Sequence, residues 1–283
     1  MKWRRVTVLG CGLIGGSFAK ALKDNHLAER IAGWDVSTDA LSEALRLQII
    51  DEVDDAFSSG GVSDSDLVYL AMPVNEIIKF LREAGSQIKD GAIITDAGST
   101  KTEVLKVART HLPKEKIFIG GHPVAGSHLQ GASHAEATLF ANAPYILVND
   151  SQTNETVLAA VKETIELIGA RVVLMSAEEH DRAMAIVSHL PQLLSSALAK
   201  TIESQPDAQT LLEVAGSGFR DMTRLAESSW KVWRDICATN RVQIACALDI
   251  LIRELQGVRD ELSEFASEES HNLSFTSTLF KSP

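Results

Sequence analysis

The stretch Gly10-Cys11-Gly12-Leu13-Ile14-Gly15 constrains this chain more than any other six residues. It is a G-x-G-x-x-G set between a β-rich run, residues 6–9, and a helical pattern over residues 14–23. Its first glycine permits a tight turn, the second lets backbone approach a pyrophosphate, and the third lets the helix pack closely on the strand. The helix start then offers unpaired N–H groups and positive potential to phosphate oxygens. Alone the pattern is weak, but Asp35 ends a second short strand, residues 31–34, 20 residues after Gly15. That is the context a dinucleotide site requires. A carboxylate there accepts from the adenosine ribose hydroxyls and repels a 2′-phosphate. Val36-Ser37-Thr38 offers no arginine for such a phosphate, so the expected cofactor is NAD rather than NADP.

Further along, β-rich runs at residues 67–71, 92–95, 116–119, 145–148 and 171–175 alternate with helical patterns near 38–46, 75–84, 101–110 and 155–168. Nearly continuous apolar strands alternating with helices predict a mainly parallel, doubly wound α/β sheet of Rossmann type, covered on both faces. After Ser176 the strand pattern stops. Residues 177–202 read as one long helix that Pro191 must kink or divide. Ile244, Leu248, Leu251, Leu255, Val258 and Leu262 then form an apolar seam at 4-3-4-3-4 spacing. Burial in a helical bundle and a homodimer interface both account for it. The expected organisation is a dinucleotide-binding domain over 1–177 and an all-helical substrate and dimerisation domain over 178–283. The Ser-rich tail, 267–283, is expected to be loosely ordered.

With 283 residues the chain suits one large or two ordinary domains. Its formal charge of -11 argues against nucleic-acid binding, because nothing offsets phosphate repulsion over a broad surface. A small anionic substrate remains compatible if the site gathers its few cations locally. Cys11, Cys237 and Cys246 have neither disulfide nor metal spacing, which points to a reducing compartment. The N-terminus mimics a signal peptide, yet its apolar part is short and broken by glycine. No run approaches the roughly 20 apolar residues of a membrane span. The expected location is cytoplasmic.

In doubly wound sheets ligands sit beyond the carboxyl ends of the strands. This chain places its unusual residues there: Pro73, then residues 95–101 (TDAGSTK), then residues 120–128 (GGHPVAGSH). Two glycines that let backbone come close, and a strand-end position, make His122 a candidate catalytic group rather than a solvated loop histidine. His122, His128 and His134 recur every six residues, but that spacing turns a helix by about 600°, so they would share no helical face. No acidic or thiol ligand completes a set near them, and no metal is expected.

Five ordered motifs, VLGCGLIGGS, TDAGSTK, GGHPVAGS, VSHLPQ and GSGFRDMTRLA…WRD, resemble the prephenate/arogenate dehydrogenases of tyrosine biosynthesis. The resemblance covers residue 6 to at least 265. It implies a two-domain homodimer and an NAD-dependent oxidative decarboxylation of a cyclohexadienol to a phenol. It further implies that His122 is the catalytic histidine contacting the ring hydroxyl and that Ser99 is the serine beside it. Arg224 matches the arginine that binds substrate carboxylate, while His189 and Trp233 match residues lining the substrate pocket. His128 is expected near the substrate side chain. Gly10, Gly12, Leu13, Ile14, Gly15, Asp35 and Pro73 are the expected cofactor contacts. Arg220, four residues before Arg224, reads equally as a structural pair or a substrate contact.

The chemistry agrees with these roles. Oxidising the alcohol requires its proton to leave as hydride departs, which a neutral imidazole can accept near neutral pH. A guanidinium suits a planar carboxylate through paired hydrogen bonds. The chain departs from the family where many members carry a histidine directly after SHLP; here it is Gln192. The proline common between the arginine and tryptophan motifs is replaced by Ser228-Ser229-Trp230. Some members continue into a regulatory domain. About twenty residues after the last helix are too few for one, so none is expected. Prephenate is the leading substrate, with arogenate or dual specificity as the alternative. A β-hydroxyacid dehydrogenase would rest on Lys200 and leave GGHP unexplained, and an NAD-sensing module would bind cofactor without turnover.

Overall fold

The structure, a computed structural model, describes residues 2–54, 62–83, 85–126 and 129–264. His128 and the Ser-rich tail therefore lie outside the described residues. In chain order the first elements are β1 (Trp3–Leu9), α1 (Leu13–Asp24), β2 (Ala28–Trp34), α2 (Thr38–Arg46), β3 (Glu52–Val53) and β4 (Leu67–Leu70). There follow α3 (Val74–Glu83), β5 (Ile93–Asp96), α4 (Thr102–His111), β6 (Ile117–Ile119) and β7 (Gly121–Pro123). Next come β8 (Pro144–Val148), α5 (Glu155–Leu167), β9 (Arg171–Met175) and α6 (Ala177–Met184). The remaining helices are α7 (Leu190–Glu203), α8 (Ala208–Glu213), α9 (Ser217–Thr223), α10 (Trp230–Thr239) and α11 (Arg241–Glu264).

Six parallel strands form one sheet in the order β3-β2-β1-β4-β5-β6, so the order reverses between β1 and β4. Side chains alternate between its two faces, as strand geometry requires. Tyr69 of β4 and Ile93 of β5 join one apolar cluster, with Val6, Phe18 and Leu22. Their neighbours Leu70 and Ile94 join the other, with Ile77, Phe80 and Val104. Both faces are thus covered by helices, and each fully buried large side chain contributes about 1.5–3 kcal/mol relative to exposure.

The expected strands at the end of the sheet form a separate layer instead. β7, β8 and β9 make a three-stranded sheet, with β7 antiparallel to β8 and β8 parallel to β9. The chain leaves the edge strand β6 at Ile119 and turns at Gly120, whose carbonyl accepts from the Val148 amide at 2.8 Å. His122 consequently sits in the middle of a short strand, opposite Ile146, rather than in a loop.

The helix expected over 177–202 is divided before Pro191. Between α6 and α7 the backbone widens into a π-helical turn, Ala185–His189. Proline lacks the amide and crowds the preceding carbonyl, and a wider turn accommodates both problems. The chain forms two compact units. The first comprises the residues up to Met184 together with Ser228–Asn240, and the second comprises Ala185–Glu227 and the chain from Arg241 onward. Within the second unit, α7 buries Gln192, whose Nε2 donates to the Leu225 carbonyl at 2.7 Å. α11 buries Ile244 of its apolar seam, along with Ala247 outside the seam, but leaves Leu255 and Leu262 about half exposed.

Candidate active site

The glycine loop closes β1 onto the end of β4. Gly10 has a φ of +96°, and a Cβ there would stand 2.3 Å from the Ala71 carbonyl oxygen. A Cβ on Gly15 would stand 1.9 Å from the Gly10 carbonyl oxygen. Gly12 differs: a Cβ there would meet nothing within 4 Å, and no side chain caps α1. Open space therefore faces the first amides of α1, including those of Leu13 and Ile14. That gap is the room a pyrophosphate needs.

Asp35 follows β2 directly. Its Oδ2 accepts from the Cys11 amide at 2.9 Å and its Oδ1 from the Ser37 amide at 3.0 Å. These bonds orient the carboxylate while each oxygen keeps a lone pair for a ribose hydroxyl. Burial and the Asp35 charge push the Cys11 thiol up to about 12, so it is inert packing. Pro73 is exposed beyond β4, and its carbonyl accepts the amides of Glu76 and Ile77 to start α3. The residues present fit NAD.

Two buried carboxylates build the ground on which Ser99 and His122 stand. Asp96, at the end of β5, accepts the Gly98 amide at 2.9 Å with Oδ2 and the Gly121 amide at 3.0 Å with Oδ1. Gly98 precedes Ser99, and Gly121 precedes His122. A Cβ on Gly121 would fall 2.5 Å from the Asp96 carbonyl oxygen, so this junction admits glycine alone. Lys101, fully buried, pairs with Asp96 Oδ2. Burial pulls the lysine's pKa down and the Asp96 charge opposes it.

Asp181, in α6, accepts the Lys101 amide at 2.7 Å and the Thr102 amide at 2.9 Å. Its Oδ1 also lies 2.8 Å from His180 Nδ1. His180 Nε2 in turn lies 2.8 Å from His122 Nδ1. His180 is fully buried, and that burial holds its pKa below the ordinary histidine value despite Asp181. Burial alone would raise the Asp181 pKa, but bonds from His180, Thr102 and the Lys101 amide hold it below the carboxylate range. The result is a continuous line from Asp181 through His180 to His122.

The remaining expected residues fall elsewhere. Trp233 is half-buried in α10, which belongs to the first unit. α10 is fastened there by Asn240, whose Nδ2 donates to the Asp181 carbonyl at 2.8 Å, and by Thr239 Oγ1, 2.8 Å from Thr100 Oγ1. Arg224 and His189 belong to the second unit. Arg224 is exposed at the start of a 3₁₀ turn, Arg224–Glu227, and His189 is buried at the end of the π turn. Arg220 donates to the Ala215 carbonyl at 2.7 Å, a local structural bond.

The sequence marks Asp96 and Lys101 only as part of the strand-end stretch, with no role of their own, and it does not single out His180 and Asp181. Asp96 and Lys101 lie inside the TDAGSTK motif, and their burial and pairing follow from packing that the motif does not record. His180 and Asp181 are adjacent in a helix, and neighbours do not share a face by periodicity. Their side chains meet because both turn inward beneath β7.

Residues 18–174 match the family described as "Prephenate dehydrogenase, nucleotide-binding domain", and residues 176–276 match "Prephenate dehydrogenase, dimerization domain". A prephenate dehydrogenase of Bacillus subtilis is 38% identical over 270 residues, covering 95% of this chain and 72% of that protein. One from Lactococcus lactis is 32% identical over 266 residues, covering 93% of this chain and 70% of that protein. The solved prephenate dehydrogenase of Aquifex aeolicus, in complex with hydroxyphenyl propionate and NAD+, superposes with a TM-score of 0.88. It is 31% identical, and the match covers 99% of this chain and 96% of that one.

Proposed function

Because the chain belongs to the prephenate dehydrogenase family, we propose that it oxidises and decarboxylates prephenate to 4-hydroxyphenylpyruvate with NAD. The observation that carries the reading is one compact unit holding both the open glycine cradle at α1 and His122 on its buried line of polar groups.

Gly10, Gly12 and Gly15 with the amides of Leu13 and Ile14 hold the pyrophosphate, and Asp35 takes the ribose hydroxyls. NAD, when bound, supplies the acceptor for the hydride. His122, as a neutral imidazole, takes the proton of the ring hydroxyl as the carbonyl forms. Loss of carbon dioxide makes the ring aromatic, so the driving force lies in the substrate and the protein chiefly orients it. Ser99 sits on the backbone that Asp96 fixes and serves the same hydroxyl. Arg224 pairs with a substrate carboxylate, and His189 and Trp233 border the rest of the molecule.

We read the working form as a homodimer through the C-terminal helices. The dimerization-domain match over 176–276 supports it, as do the exposed Ile250, Ile252, Leu255 and Leu262 on α11. Among the described residues no helix is long and apolar enough to cross a membrane. Cytoplasmic location remains part of this proposal.

The test is spectrophotometric. Purified protein with NAD and prephenate should reduce the cofactor, and arogenate or NADP should serve poorly. Absence of turnover with every pair would refute the reading. His122→Asn should lower kcat by roughly 10²–10⁴-fold while leaving NAD binding in place.

A further inference from the structure

Proton removal at His122 needs a lone pair on one ring nitrogen only, and the buried residues beneath it decide which. We propose that His180 and Asp181 are positioning residues that fix His122 as its Nδ1–H tautomer and leave the basic lone pair on Nε2. The inference rests on the reading of His122 as the group that takes the substrate proton.

The hydrogen bonds run outward from Asp181. Its carboxylate accepts two backbone amides, those of Lys101 and Thr102, whose directions are set by the start of α4. A carboxylate held this way accepts and does not donate, so the 2.8 Å contact with His180 requires the proton to sit on His180 Nδ1. Burial disfavours a second proton on that ring. His180 Nε2 is then an acceptor, and the 2.8 Å contact with His122 requires the proton on His122 Nδ1. Each step follows from the one before, and the last leaves a single basic position.

The same line also serves the charged state. The ionised groups acting on His180 are Asp181, Lys101 and Asp96. Lys101 and Asp96 neutralise each other, which leaves Asp181 as one uncompensated anion beneath the two imidazoles. When the ring hydroxyl gives its proton to His122 Nε2, the new imidazolium faces that anion through His180. The proton thus arrives where a buried negative charge already waits, without any partner having to move.

The experiment uses the full chain with NAD bound and histidines labelled with ¹⁵N, the His122 signals being assigned by their loss in His122→Asn. The wild-type spectrum near pH 7.5 should show a pyrrole-like Nδ1 and a pyridine-like Nε2 at His122. The reverse assignment would overturn the proposal, whether or not the His180 and Asp181 variants fold. His180→Phe should lower kcat by roughly 10²–10⁴-fold, the range of a displaced general base, with KM for NAD near its wild-type value. Asp181→Asn should shift the acid limb of the kcat/KM profile to lower pH, because it removes the anion that favours imidazolium. A folded His180→Phe with wild-type kcat, or an unmoved limb in Asp181→Asn, would also overturn it. Because the spectrum is read without substrate, a failure of the prephenate assay and a failure of the tautomer assignment are separate results.

Discussion

Asp96 accepts the amide of Gly121 at 3.0 Å, so the acid that compensates Lys101 also fixes the backbone immediately before His122. Its other oxygen does the same for Gly98, before Ser99. One buried side chain therefore sets the separation between the two residues expected to meet the ring hydroxyl.

Asp96→Asn should destabilise the fold by about 3–5 kcal/mol, the cost of leaving one member of a buried ion pair uncompensated. Urea denaturation would measure it. Asp96→Asn combined with Lys101→Met should recover part of that loss, since neither charge then remains in the core. A single variant as stable as wild type would mean that the ion pair is not what fixes this junction.

Gly12→Ala and Gly15→Ala should separate cofactor binding from folding. The first adds a methyl group to open space, so stability should change by less than about 1 kcal/mol. KM for NAD should nevertheless rise about tenfold or more, a loss of ~1.4 kcal/mol or more, as the methyl crowds the phosphate path. Gly15→Ala drives a Cβ into the Gly10 carbonyl and should yield little soluble protein. An unchanged KM in Gly12→Ala would remove the pyrophosphate from this cradle.

Stability should depend on pH through His180. Burial holds its folded pKa below the unfolded value of about 6.5, so between the two the unfolded chain binds more protons. The stabilisation from the neutral ring is fully present above about pH 6.5 and is lost as pH falls toward the folded pKa, at no more than ~1.4 kcal/mol per pH unit. Asp181 works in a lower window: its depressed pKa stabilises the fold above about pH 4 and ceases to do so in stronger acid. Denaturation at pH 5.5, 6.5 and 7.5 should give a shallower slope for His180→Phe than for wild type. Parallel slopes would contradict the assignment.

Arg224→Ala should raise KM for prephenate by about 10–100-fold, the loss of one charge-assisted contact, with a smaller effect on kcat. Arg220→Ala should leave KM near the wild-type value and lower the melting temperature, because its partner is the Ala215 carbonyl. Steady-state kinetics on both variants distinguishes the two arginines.

The glycine loop and Asp35 could be read from residues alone because each requirement is local: a turn, a helix start, a carboxylate one strand away. The alternation of strands and helices gave the sheet for the same reason. What escaped was assembled from distant parts of the chain. The separate sheet around His122 depends on β8 and β9 leaving the main layer, which their apolar pattern does not record. The sequence reads Gly121 as a glycine that lets backbone come close, but the group that comes close, the Asp96 carbonyl, belongs to a residue 25 positions earlier. Asp181 and His180 carry no helical signature of a pair, and their partners come from distant segments: the start of α4, His122 on β7 and Asn240 at the end of α10.

The path of α10 has a practical consequence for anyone dissecting this protein. Residues 228–240 return to the first unit and place Asn240 against the backbone of Asp181, so the chain passes between units three times rather than once. A fragment ending at Met184 would lack Asn240, Thr239 and Trp233 together, and the carbonyl of Asp181 would lose its donor. The two units are therefore interleaved along the chain rather than laid end to end. Recombination that swaps a C-terminal half would also replace a structural piece of the N-terminal one.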